Sequence, residues 1–114
     1  FICRDVWLTV DSVTTAWTSR YEWGAELLVP LKSGEGRYVA SESVLDELEG
    51  EGRVVFRYAD NPNGSMRNIA GISSASGRIV GLMPHPEHAT EPLTGPSDDG
   101  LGMFYSALDA VLAA

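Results

Sequence analysis

Residues 84–88 read Pro-His-Pro-Glu-His and contain both histidines of the chain, with a carboxylate between them. An imidazole exchanges protons near neutral pH, and a neighbouring carboxylate fixes its tautomer and favours its charged form. Such a pair is what a nucleophile needs as its general base. In an extended segment positions i and i+2 point the same way, so His85 and Glu87 would face one crevice, with Pro86 limiting the backbone freedom between them. The segment itself supplies no nucleophile. Two other readings stay open at this level. His85, Glu87 and His88 are all metal-ligand types, but the helical His-Glu-x-x-His arrangement needs its histidines four apart, and here they are three apart with a proline inside. The plainer reading is that both histidines merely sit in a polar loop; on either reading His88 supports the loop and is not catalytic.

The segment must be held by something. Just before it, Ile79, Val80, Leu82 and Met83 are apolar on both alternating faces, as in a central strand of an α/β sheet covered on both sides. Open α/β sheets place their sites beyond the carboxyl ends of such strands. Upstream, Val6, Leu8 and Val10 alternate with Asp5, Trp7 and Thr9, a period of two that predicts a strand over 2–11. A second apolar run, 24–31, is expected to end at Pro30. Residues 43–50 predict a short helix, with Ser43 and Asp46 as a capping box, Val44, Leu45 and Leu48 on one face, and Gly50 as its stop. Residues 53–60 are β-branched and aromatic, hence a strand. Asn61-Pro62-Asn63-Gly64 reads as a turn, and 68–84 as two short strands joined through 73–77 in a hairpin. At the end, Leu101, Phe104, Leu108 and Val111 fall at helical spacing and are expected to be core, with Asp98 and Asp99 at the positive end of the helix dipole. Two helices can hardly cover both faces of a buried sheet.

The chain has 114 residues, enough for one small domain, and its 44% hydrophobic and 21% charged content suits a folded protein rather than a disordered one. The formal net charge of −8 argues against a nucleic-acid backbone or an anionic membrane as partner. No apolar run approaches the ~20 residues that cross a bilayer. A single cysteine, Cys3, excludes an internal disulfide framework and fits a reducing, cytoplasmic setting. Asn63-Gly64-Ser65 matches an N-glycosylation acceptor and is read as a turn.

The stretch RIVGLMPHPEHATEPLTGPSDDGLGMFYSAL (78–108) resembles the C-terminal end of the class I glutamine amidotransferases, and most nearly the glutaminase subunits that serve purine biosynthesis. GEGRY (34–38), NPNGS (61–65), IAGI (69–72) and GLMPHPEH (81–88) fall in that family's order, so the similarity runs over nearly the whole chain. The resemblance implies a flavodoxin-like, three-layer αβα domain of which residues 1–114 are the C-terminal portion. It also implies a Cys-His-Glu triad in which a thiolate attacks the side-chain amide of glutamine, with His85 as proton shuttle and Glu87 orienting it. Freed ammonia would pass to a separate large synthetase subunit, assisted by a small accessory subunit. That synthetase would use ATP and magnesium to convert formylglycinamide ribonucleotide to the amidine. No cofactor and no metal are expected in this chain.

The departures shape the expectation further. The family's nucleophile sits in a Gly-x-Cys-x-Gly elbow upstream of these blocks, and no such elbow is present. Cys3, inside a predicted strand with no glycine beside it, is given a structural role. With the chain opening on Phe1, the expectation is a piece of a longer domain, lacking the elbow and inactive alone. The alternative is a catalytically incomplete fragment that only binds a partner. Many relatives read His-Gly-Glu-Gly where this chain has Ser33-Gly34-Glu35-Gly36, so that histidine's role does not carry over. Glu35, Arg37 and Tyr38, and Asn61, Asn63 and Ser65, are candidates for substrate binding or a subunit interface, set against the reading of both stretches as solvated turns.

Overall fold

The alternation read at the start of the chain becomes β1 (Ile2–Val10), with Val6, Leu8 and Val10 buried and Asp5 and Trp7 exposed. The computed structural model describes residues 2–33, 38–62, 64–91 and 97–113. Within them, β2 (Glu26–Ser33), β3 (Val54–Tyr58), β4 (Ile69–Ser73) and β5 (Val80–Leu82) join β1 in one sheet of order β2-β1-β3-β4-β5, every neighbouring pair antiparallel. The predicted hairpin is present as β4 and β5, paired from Gly71–Leu82 to Ser73–Val80. Contrary to expectation, β2 runs through Pro30 to Ser33. Among the described residues it is an edge strand paired to β1 alone, and an edge tolerates a residue with no N–H to donate.

Two helices complete the described chain. α1 (Glu42–Gly50) is capped by Ser41, not Ser43: the Ser41 hydroxyl accepts from the Val44 N–H at 3.4 Å. It buries Leu45 and Leu48 but leaves Val44 exposed, and its stop falls beyond Gly50, at Gly52, whose φ of +66° an L side chain would resist. α2 (Leu101–Ala113) follows the histidine segment. One apolar cluster gathers Val6, Leu8, Val29, Leu31, Phe56 and, from α2, Met103; a second gathers Leu45 and Leu48 of α1 with Val54 and Ile69.

The strand covered on both faces is β3, where Val54, Val55 and Phe56 are buried in succession, and not the strand of residues 79–83. That strand is β5, at the sheet edge and only part-buried, with Ile79 71% exposed. The α2 stripe likewise is not core: Phe104, Leu108 and Val111 are exposed, and the helix docks instead through Met103 and Ser106. The Ser106 hydroxyl accepts from Arg20 N–H at 2.9 Å, and Gly102 lies under the Tyr21 ring. Met103, Gly102 and Ser106 therefore seat α2, and Phe104, Leu108 and Val111 turn outward.

An ionic clamp ties α1 to the sheet. Arg67, held at φ 54°, donates to Glu42, Asp46 and Glu49, while Arg57 donates to Asp11 at 2.7 Å and Glu49 at 2.9 Å. Hydrogen bonds from Arg57 and then Arg67 hold the Glu49 carboxyl below its ordinary pKa. A depressed folded-state pKa gives stability that is present above the unfolded value and lost as pH falls through the folded one. Glu49→Gln is therefore expected to flatten the acid side of a plot of Tm against pH, measured from about pH 7 to about pH 3. An unchanged acid limb would show that Glu49 contributes nothing to acid unfolding.

Candidate active site

The dyad is mounted on the free edge of β2. Pro30 cannot donate, but its carbonyl accepts the backbone N–H of His85 at 2.8 Å. The same edge takes two further bonds, from Leu28 N–H to the Asp99 carboxylate and from the Ser97 hydroxyl to the Leu28 carbonyl, both 2.7 Å. The edge that would otherwise be open thus holds His85 and, two residues along, the approach to α2.

His85 itself is extended, at φ −107° and ψ 92°, and Pro86–His88 then form one turn of 3-10 helix with proline in its first position. The expected extended segment is thus replaced by a tight turn, because Pro86 at the start of a helical turn gives up no needed N–H. The two side chains meet all the same: His85 Nδ1 lies 2.7 Å from Glu87 Oε1. Among the described residues nothing bonds to His85 Nε2, which leaves that nitrogen to act on a group outside the pair. His88 closes the turn through its N–H to the His85 carbonyl at 3.1 Å, and its ring centroid lies 5.5 Å from that of His85.

The start of α2 backs the turn. Ala89, fully buried, donates to the Pro86 carbonyl at 2.9 Å and accepts from Gly100 N–H at 2.8 Å. A Cβ at Gly100 would stand 2.9 Å from the Pro86 carbonyl carbon and 3.0 Å from its Cα, so only glycine fits against the turn. Tyr21 fixes the approach to the helix, donating to the Asp99 carbonyl at 2.5 Å. Burial above all pushes the Tyr21 phenol up to about 12, so it remains a donor at neutral pH.

A cleft of about 210 Å³ adjoins the dyad, lined by His85, Pro86 and Glu87 together with Trp17, Val80, Leu82, Pro84, Met103 and Phe104. A larger hollow of about 410 Å³, between Arg4, Trp7, Glu26 and Asp60, holds no imidazole, and the chemistry favours the smaller one.

The other candidates separate from the dyad. Glu35, Arg37 and Asn63 lie outside the described residues. Tyr38 and Ser65 are joined, Tyr38 N–H donating to the Ser65 hydroxyl at 3.0 Å. Asn61 folds its own turn, its amide donating to the Ser65 carbonyl at 2.7 Å and its oxygen accepting from Gly64 N–H at 2.8 Å. That is the geometry of turn chemistry. Sequence reading missed Pro30, Asp99 and Gly100 as supports of the dyad. The edge-tolerant proline and the glycine after paired aspartates were the available signals.

Residues 1–108 match the family model of the CobB/CobQ-like glutamine amidotransferase domain. The PurQ subunit of phosphoribosylformylglycinamidine synthase from Rhodococcus jostii is 82% identical over 115 residues, covering all of this chain and 51% of that protein. The corresponding subunit from Mycobacterium tuberculosis is 82% identical over 112 residues, covering 98% of this chain and 50% of that protein. A chain in the structure of PurLQS from Thermotoga maritima superposes with a TM-score of 0.84 at 40% identity, covering 96% of this chain and 48% of that one. This chain therefore spans about half the length of the relatives it matches. The folded residues are those of a partial class I glutamine amidotransferase fold, and the chain belongs to the CobB/CobQ-like glutamine amidotransferase family.

Proposed function

We propose that this chain is the C-terminal portion of a glutaminase subunit of phosphoribosylformylglycinamidine synthase and carries two members of a Cys-His-Glu triad. The supporting observation is the 2.7 Å bond from Glu87 to His85 Nδ1, which leaves Nε2 directed away from the pair. A thiol from the remainder of the subunit gives its proton to Nε2 as its sulfur attacks the side-chain amide carbon of glutamine. The imidazolium returns that proton to the departing ammonia, leaving a glutamyl thioester. His85 then takes a proton from water, hydroxide adds to the thioester, and the collapsing intermediate releases glutamate and the thiol. Glu87 orients the ring and stabilises its cation at each stage. Positioned proton transfer of this kind contributes about 10²–10⁴-fold in rate.

The ammonia would serve an ATP- and magnesium-using synthetase in de novo purine biosynthesis, with a small accessory subunit, in the cytoplasm. The outward-facing Ile79, Met83, Phe104, Leu108 and Val111 fit a chain that packs against more of its own domain.

An ammonia-release assay tests the reading. The 114-residue chain alone is expected to show no turnover, and adding the preceding half of the subunit should restore it. Continued silence with both halves demonstrably associated would defeat the proposal. Glu87→Gln in the complete subunit is expected to lower kcat by about tenfold, less than loss of the imidazole, because the base remains and only its orientation suffers. A larger loss than in His85→Ala would reverse the two roles.

A further inference from the structure

Residues 85–88 do not form the helical His-Glu-x-x-His motif, but their turn brings the same three side chains together by another geometry. His85 precedes a 3-10 turn, and the bond from the His88 N–H to the His85 carbonyl at 3.1 Å folds the two residues onto one another. Pro86–His88 form such a turn with His85 at its head. The rings of His85 and His88 are tilted 49° at 5.5 Å between centroids, and one ligand atom from each of His85, Glu87 and His88 lies within 4.8 Å of the others. Two imidazoles and one carboxylate are the donor set of a zinc-type site with positions left for water. The dyad side chains are 39% and 51% exposed, so an ion can enter and keep part of its hydration shell.

We propose that this turn is a binding site for one divalent transition-metal cation of the zinc class, ligated by a nitrogen of His85, an oxygen of Glu87 and a nitrogen of His88. Glu87 Oε1 and His85 Nδ1 are spent on each other at 2.7 Å in the metal-free turn. An ion on either ring nitrogen of His85 takes a lone pair that the proposed proton transfer needs, whether by occupying Nε2 or by replacing the bond at Nδ1. His88 lies outside the proposed proton transfer and is the handle that separates metal binding from catalysis. The binding claim stands apart from the glutaminase reading. Its consequence, inhibition by the metal, rests on that reading.

The complete subunit is titrated with zinc chloride against a chromophoric chelator, as wild type, His88→Ala and His88→Gln, with circular dichroism to show that each variant is folded. The expected result is one zinc per wild-type subunit and an affinity at least roughly tenfold weaker in both variants, as loss of one of three protein ligands implies. Basal glutaminase activity in the variants is expected to match wild type, with about tenfold more zinc needed to suppress it. Equal zinc affinity in all three proteins would overturn the site, whatever the state of the glutaminase assignment. Zinc inhibition unmoved by either substitution would overturn it too, by placing the ion elsewhere.

Discussion

His85→Ala in the complete subunit is expected to abolish glutamine-dependent amidine formation while ammonia-dependent formation by the synthetase survives. The expectation follows from the proposed role of His85 as the base that takes the thiol's proton and hands it to the leaving amine. Its Nδ1 is held by Glu87 and its backbone N–H by the Pro30 carbonyl, so both the ring and its attachment are fixed before substrate arrives. Removing it should lower glutamine turnover by about 10²–10⁴-fold. Ammonia supplied from solution bypasses the whole glutaminase step, which makes the ammonia assay a control for folding and assembly. Unchanged glutamine turnover in this variant would refute the assignment of the base.

Gly100→Ala is expected to lower kcat by about 10²-fold through geometry alone, since a catalytic group misplaced by ~1 Å can lose that much. Gly100 touches no reacting atom. Its added methyl would crowd Pro86, the residue between His85 and Glu87, from the carbonyl carbon at 2.9 Å. Either the turn slides along β2 or the start of α2 moves away, and both loosen the dyad's mount. Overpacking of this kind also costs about 1–3 kcal/mol in stability. Gly50→Ala supplies the contrast: it is the last residue of α1, a Cβ there meets nothing within 4 Å, and alanine should raise stability by about 0.4–1 kcal/mol. Kinetics and chemical denaturation of the two variants side by side check both signs. Full turnover in Gly100→Ala would show that the turn does not depend on this contact.

The contact between His85 and Glu87 was legible because the two are two residues apart, and local chain geometry brings them together whether the backbone is extended or makes a tight turn. The support of that pair was not. Pro30 and Gly100 reach the turn from other elements, and nothing in their own neighbourhoods says where their carbonyl or their missing side chain will point. The same limit explains the misplaced core. Apolar residues on both faces at 79–83, and the stripe Leu101, Phe104, Leu108 and Val111, register surfaces suited to burial, but a pattern does not name what covers them. In this chain β3 is the doubly covered strand, with α1 over Val54 and Ile69, whereas β5 forms an edge and α2 is seated by Met103 and Ser106.

On the proposed mechanism His85 activates a thiol carried by another part of the subunit. The most direct measurement is the pH dependence of alkylation of the nucleophilic cysteine in the complete subunit, wild type against His85→Ala, mapped by peptide mass. The wild-type thiol is expected to react well below the ordinary thiol pKa of about 8.5, and the variant's profile to return to that value. Superimposable profiles would contradict the mechanism, because a thiol indifferent to the imidazole has no base in this dyad.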